Sequence, residues 1–166
     1  ATVRDALGNL VADGTVVTFE TTLGSLPGSP STATTEDGVA SITLTAPTTT
    51  GTATVTATAG AATDTAQVTF VPGAPDTLEL TAVPTSLVAN GTATAQLTAT
   101  VRDALGNLVA DGTVVTFETT LGSLPGSPST ATTDDGVATI TLTAPTTTGT
   151  ATVTATAGAA TDDVEV

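Results

Sequence analysis

Polar and apolar residues alternate one by one along much of this chain. In TATVTATA (150–157), Ala151, Val153, Ala155 and Ala157 fall on one side, and Thr150, Thr152, Thr154 and Thr156 on the other. VATITLTA (137–144) sets Ala138, Ile140, Leu142 and Ala144 against Thr139, Thr141 and Thr143. TATAQLTATVR (92–102) sets Ala93, Ala95, Leu97, Ala99 and Val101 against Thr94, Gln96, Thr98, Thr100 and Arg102. A period of two belongs to strands with one dry face and one wet face. Threonine suits the wet face, because its branched Cβ fits the pleat while its hydroxyl stays hydrated. Turn signals interrupt the pattern at short intervals: DALGN (103–107), ADG (110–112), LPGSP (124–128), DDG (134–136), PTTTG (145–149) and AGAA (157–160). Glycine and asparagine there supply positive φ, and proline presets φ near −65°. No stretch has a helical period. The pattern predicts an all-β fold of short strands, a β-sandwich of immunoglobulin type. Its core is expected from Leu97, Val101, Val115, Phe117, Ile140 and Leu142, with alanine filling many other inward positions.

The pattern also recurs on a longer scale. Residues 1–68 align with 99–166 without a gap, a period of 98 residues, and differ only at Glu36/Asp134, Ser41/Thr139, Thr65/Asp163, Ala66/Val164 and Gln67/Glu165. Such self-similarity is the mark of a tandem repeat. It predicts two domains: 1–74, a repeat lacking its first strands, and 75–166, a repeat nearly complete. The first copy lacks the counterpart of 75–98 and the second that of TFVPGA (69–74). The chain therefore reads as one register of a longer head-to-tail array. The truncated copy is expected to show an open sheet edge and an apolar face centred on Phe19, Ile42 and Leu44. An open edge is a template for another strand. Strand exchange between chains is the alternative to a continuous array. The link VPGAPD (71–76) carries two prolines and should be stiff.

Composition narrows the function classes. Sixteen acidic residues against Arg4 and Arg102 give a net charge of −14. Phosphate backbones and anionic lipid repel such a chain, so nucleic acid is not an expected partner. No run of eighteen apolar residues is present to span a membrane as a helix. There is no Lys, His, Cys, Met, Trp or Tyr. A nucleophilic Ser or Thr thus has no His or Lys beside it to act as base. Thiolate and imidazole metal sites have no ligands. The lack of lysine removes Lys–Asn isopeptide cross-links as well.

The repeat resembles a known family. TATVRDALGNLVADGTVVTFETTLGSL followed by TTDDGVATITLTAPTTTGTATVTATAG is similar to the group-one bacterial Ig-like domain of invasin and intimin. Val101, Asp103, Gly106, Asn107, Val109, Val115, Phe117, Gly122, Leu124, Thr133, Gly136, Ala138, Gly149, Val153, Thr154 and Ala155 carry the likeness across several strands of both copies. Leu108, like Leu10, stands where that family usually has proline. The resemblance implies Ig-like repeats of long extracellular or surface-exposed adhesins, in which repeats act mostly as a stalk.

Candidate chemistry is sparse. Asp134–Asp135 reads first as a solvated Asp-Gly turn. A weak structural Ca2+ site, needing six to eight oxygens, requires the turns of Asp103, Asp111, Asp134 and Asp135 to share one end of the sandwich. In DALGN, Asp103 is expected to bond the turn backbone while Gly106 and Asn107 take left-handed positions. Asn90-Gly91-Thr92 matches a glycosylation sequon but reads as a turn. Phe19, Phe70 and Phe117 occupy core-facing strand positions. No catalytic, cofactor-binding or metal-ligating residue is assigned, and an enzyme is not expected. The leading expectation is a structural spacer repeat of an extracellular bacterial adhesin or surface fibre, whose partners are neighbouring identical repeats. The alternative is a binding module recognising a host protein or glycan through the loop 121–133, with Leu121 and Leu124 as its apolar contacts.

Overall fold

The computed structural model describes residues 1–166. Eleven antiparallel strands and no helix make up the chain, in two compact units, Ala1–Val71 and Pro72–Val166.

The second unit is a two-sheet sandwich. One sheet has the order β5 (Pro75–Val83), β6 (Thr94–Asp103), β9 (Val137–Thr143). The other runs β11 (Ala160–Glu165), β10 (Thr152–Ala157), β7 (Val114–Thr119), β8 (Ser129–Thr132). Alternation delivers one face of each strand to the interior. Leu97, Ala99 and Val101 of β6 and Ala138, Ile140 and Leu142 of β9 meet Val115, Phe117, Val153, Ala155 and Ala157 across the gap. Phe117, Leu97, Leu142, Val101, Val115 and Val153 are its fully buried large side chains, so five of the six expected core residues are among them and Ile140 is 8% exposed. Threonines line the wet face in cross-strand pairs such as Thr98–Thr139 and Thr116–Thr156.

The first unit repeats only half of this. β1 (Val16–Thr21), β2 (Thr32–Thr34), β3 (Gly51–Ala59) and β4 (Ala62–Phe70) form one sheet in the order β2-β1-β3-β4, the counterpart of β8-β7-β10-β11. The facing sheet is absent. VASITLT (39–45) differs from β9 by one residue, yet it holds only the isolated bridges Thr2–Val39, Glu36–Val39 and Ser25–Thr45. The reason is its partner. β9 pairs with Thr94–Thr100 of β6, and only Ala1 and Thr2 correspond to any of those seven residues in the first unit. Sequence alternation prepares a strand; the neighbour makes it one.

The opening includes two of the three residues expected to centre it, Ile42 and Leu44, but not Phe19. Phe19 stays buried at 6%, and Ile42 and Leu44 are half-buried. Cover is also lost over Val55, Ala57 and Ala59, which are half-buried where Val153, Ala155 and Ala157 are completely buried.

Candidate functional site

Asp103 is the one acidic residue the fold buries. Continuing the period of two from Ala95 to Val101, it lies on the dry face of β6, at the strand's last residue. Its Oδ1 accepts the N–H groups of Leu105 and Asn107, each at 2.9 Å. Its Oδ2 accepts Gly73 N–H at 2.9 Å and Asn107 Nδ2 at 3.1 Å. The carboxylate thus ties the loop 103–107 to the segment leading into β5. These donors, Gly73 first and the Asn107 amide next, outweigh desolvation and hold its pKa down to about 2. Gly106 takes the expected left-handed conformation at φ 84°. Asn107 does not, and acts instead through its side-chain amide. In the first unit Asp5 keeps the bonds to Leu7 and Asn9 but is exposed. Its pKa is also lowered, chiefly by the Asn9 side chain.

The other carboxylates shape turns as well. Asp134 and Val137 exchange backbone hydrogen bonds at 3.0 Å around Asp135 (φ 46°) and Gly136 (φ 73°), a two-residue hairpin turn with positive φ at both positions. Asp111 Oδ1 accepts Asp135 N–H at 2.8 Å, so these two turns do share an end. Asp103 is committed elsewhere, and no three acidic side chains gather into a metal-holding group. Leu108, in the place of the family's proline, lies against Gly136, where an added Cβ would come 2.7 Å from Leu108 Cβ.

The segment 121–133 is not all loop, since Ser129–Thr132 form β8. Leu121 and Leu124 pack partly against the core, because Ser123 pairs with Thr143 in both directions and pulls the loop onto β9. Among the apolar residues that do face solvent are Leu105, 64% exposed, and its counterpart Leu7, 87% exposed. The sequon asparagine is exposed, and its Oδ1 accepts Thr92 N–H, Thr92 Oγ1 and Ala93 N–H at 2.8–3.0 Å, capping its own turn.

Two openings lie where segments of the repeat have no counterpart. In the second unit an apolar cavity of about 150 Å3 lies between Leu87, Leu121, Leu142, Ala151 and Val166. In the first unit Phe70 reaches the matching place: its Cζ lies 3.5 Å from the Cβ position of Gly24, beside Leu44, while β3–β4 pairing runs on to Gly51–Phe70. The second opening, a groove of about 110 Å3, borders Ala1–Arg4, Ala57, Ala59 and Ala62. The 98-residue offset predicts both once the missing counterparts are mapped onto the strand order.

Comparison with known families decides the membership. The family model described as invasin, domain 3, matches residues 1–73 and again 74–166. The chain belongs to the invasin domain 3 family. Among solved structures, Yersinia pseudotuberculosis InvD is similar at 27% identity and a TM-score of 0.68, over 99% of this chain and 50% of that one. Invasin, described as a bacterial integrin-binding protein, is similar at 31% identity and a TM-score of 0.54, over 99% of this chain and 34% of that one. The chain therefore spans half of InvD and about a third of invasin. A family 2 glycosyl hydrolase from Bacteroides cellulosilyticus, at 16% identity and a TM-score of 0.50 over 92% and 21%, shares the fold alone. A comparison with curated proteins gave no match. As invasin domain 3 units, both halves are Ig-like domains of an adhesin family.

Proposed function

We propose that these units are spacer repeats in the stalk of an extracellular adhesin, joined head to tail with further copies of themselves. One observation carries the reading. The carboxylates of Asp103 and Asp111 and the side-chain amide of Asn107 are spent on holding turns of the repeat itself. The near-identity of 68 aligned positions with only five differences agrees, since a mechanical unit tolerates copying without divergence. The decisive experiment changes repeat number in the full-length protein. Fewer repeats should shorten its reach from the cell surface, measured by scattering or force microscopy, in proportion to the number removed, and leave target binding intact. Loss of binding by the isolated remainder would overturn the proposal.

A second reading rests on Leu7 and Leu105, the exposed tips of two copies of one loop. Duplicated apolar tips suit a low-affinity contact strengthened by avidity. Leu7→Ser with Leu105→Ser would abolish adhesion by isolated repeats under this reading, and leave adhesion unchanged under the first.

A further inference from the structure

Tension along a tandem array enters each unit through its first strand and leaves through its last. Here the chain runs from Phe70, the end of β4, through Val71 to Pro75, the start of β5. β4 is the first unit's counterpart of β11, so an internal unit is pulled at the start of β5 and the end of β11. What pulling must break depends on how those two strands lie against each other. They belong to different sheets and share no ladder. Pro75 Cβ lies 3.8 Å from where a Cβ on Gly158 would stand, in the turn just before β11. Further along both strands, Leu80 N–H donates to Asp162 Oδ2 at 2.9 Å. The two contacts advance in the same sense, so β5 and β11 run parallel. Leu80 stands opposite Ala99 of β6 but turns its N–H away from it, on the open edge of the sheet. Asp162 lies on the inward row of β11, between Ala160 and Val164. A packing role alone would favour an apolar residue in that row.

We propose that β5 and β11 form a tension clamp, and that Asp162 is the side chain that closes it. Pulled at opposite ends, two parallel strands slide along each other, and all contacts between them must give way together. Pulled at the same end they peel apart, one contact at a time. A strand N–H points across the strand, so the Leu80–Asp162 bond resists sliding far more than peeling. Asp103, accepting Gly73 N–H at 2.9 Å, anchors the entering chain ahead of β5. The clamp's purpose rests on the stalk reading, whereas its existence is a property of the second unit alone.

The test is single-molecule pulling of the intact chain in two directions. The chain has no cysteine, so added ones fix the attachment points. One form carries cysteines before Ala1 and after Val166, which pull β5 and β11 at opposite ends. The second unit's event is recognised by its longer contour, Pro72–Val166 against Ala1–Val71. The other form carries Val88→Cys and the cysteine after Val166. Val88 is 70% exposed, and its neighbours Leu87 and Ala89 line one cavity with Val166, so this pair sits at one end of the unit. Asp162→Ala should speed end-to-end rupture of the second unit about tenfold to hundredfold at a given force, the contribution of a hydrogen bond to a charged group. It should leave same-end rupture unchanged. Asp162→Asn keeps a carbonyl acceptor and should recover part of the lost resistance. An equal effect of Asp162→Ala in both directions, the mark of a general loss of stability, overturns the proposal, and so does no effect in either. Neither result depends on repeat number or target binding, so failure of the clamp and failure of the stalk reading are told apart.

Discussion

Leu44 and Leu142 are the same residue of the repeat in two settings, which makes them a controlled experiment on burial. Leu142 is 2% exposed, on β9 between paired sheets. Leu44 is half-buried on a segment that holds only isolated bridges and no paired strand. Replacing leucine by alanine removes three carbons, about 2.4 kcal/mol of transfer free energy at roughly 0.8 per carbon. A residual cavity in a fully enclosed site brings the cost of Leu142→Ala to about 3–4 kcal/mol. Leu44→Ala gives up less buried area, and its surroundings can collapse into the gap, so it should cost about 1 kcal/mol. For a unit of this size each kcal/mol moves the melting temperature by about 4–8 °C. Leu142→Ala should therefore lower the second unit's midpoint by on the order of 12–32 °C, and Leu44→Ala should lower the first unit's by less than about 8 °C. The chain has no Trp or Tyr for fluorescence. The measurement is calorimetry, with hydrogen exchange by mass spectrometry to assign each transition to its unit. Equal losses at the two positions would refute the claim that the missing sheet is what leaves Leu44 uncovered.

Asp103 predicts a pH dependence. Its folded pKa lies near 2, below the ordinary 3.8, so its contribution is complete above about pH 4 and fades as pH falls towards 2. Asp103→Asn should lower the second unit's melting temperature at pH 7, because an amide nitrogen cannot accept both Gly73 and Asn107, and the gap to wild type should narrow below pH 2; a gap independent of pH contradicts this. Two glycines separate backbone strain from crowding. Gly106→Ala meets open space at φ 84° and should cost about 1–2 kcal/mol. Gly122→Ala places a Cβ 2.5 Å from the Thr143 carbonyl oxygen and should cost about 1–3 kcal/mol more in urea unfolding. Extending the chain after Val166 by Thr-Phe-Val should seat a phenylalanine in the 150 Å3 cavity and stabilise the second unit by about 1–2 kcal/mol in calorimetry.

The strands were legible because period two and turn chemistry agree at every level, and five of the six expected core residues are fully buried. Whether a segment became a strand was not legible at 39–45, since its own residues nearly match those of β9 and the difference lies in what runs beside it. The burial of Asp103 was readable from the parity of β6, but its bond to Gly73 spans thirty residues and depends on tertiary placement. Leu121 and Leu124 misled for the same reason. Local polarity marks 121–133 as a loop, while pairing of Ser123 with Thr143 turns both leucines inward.

The dependence of β9 on β6 has a kinetic side. β6 ends at Asp103 and β9 begins at Val137, so in a chain that emerges N-terminus first the template is always in place before the segment that needs it. In an array of near-identical copies every such segment also matches the templates of other repeats, and wrong pairing would be as strong as right pairing. Order of emergence, together with the shorter loop to the cis partner, is what selects between them. A refolding chain released all at once loses the first of these guides. Refolding of long arrays from denaturant should therefore yield more cross-paired species than vectorial release does, and the excess should grow with repeat number.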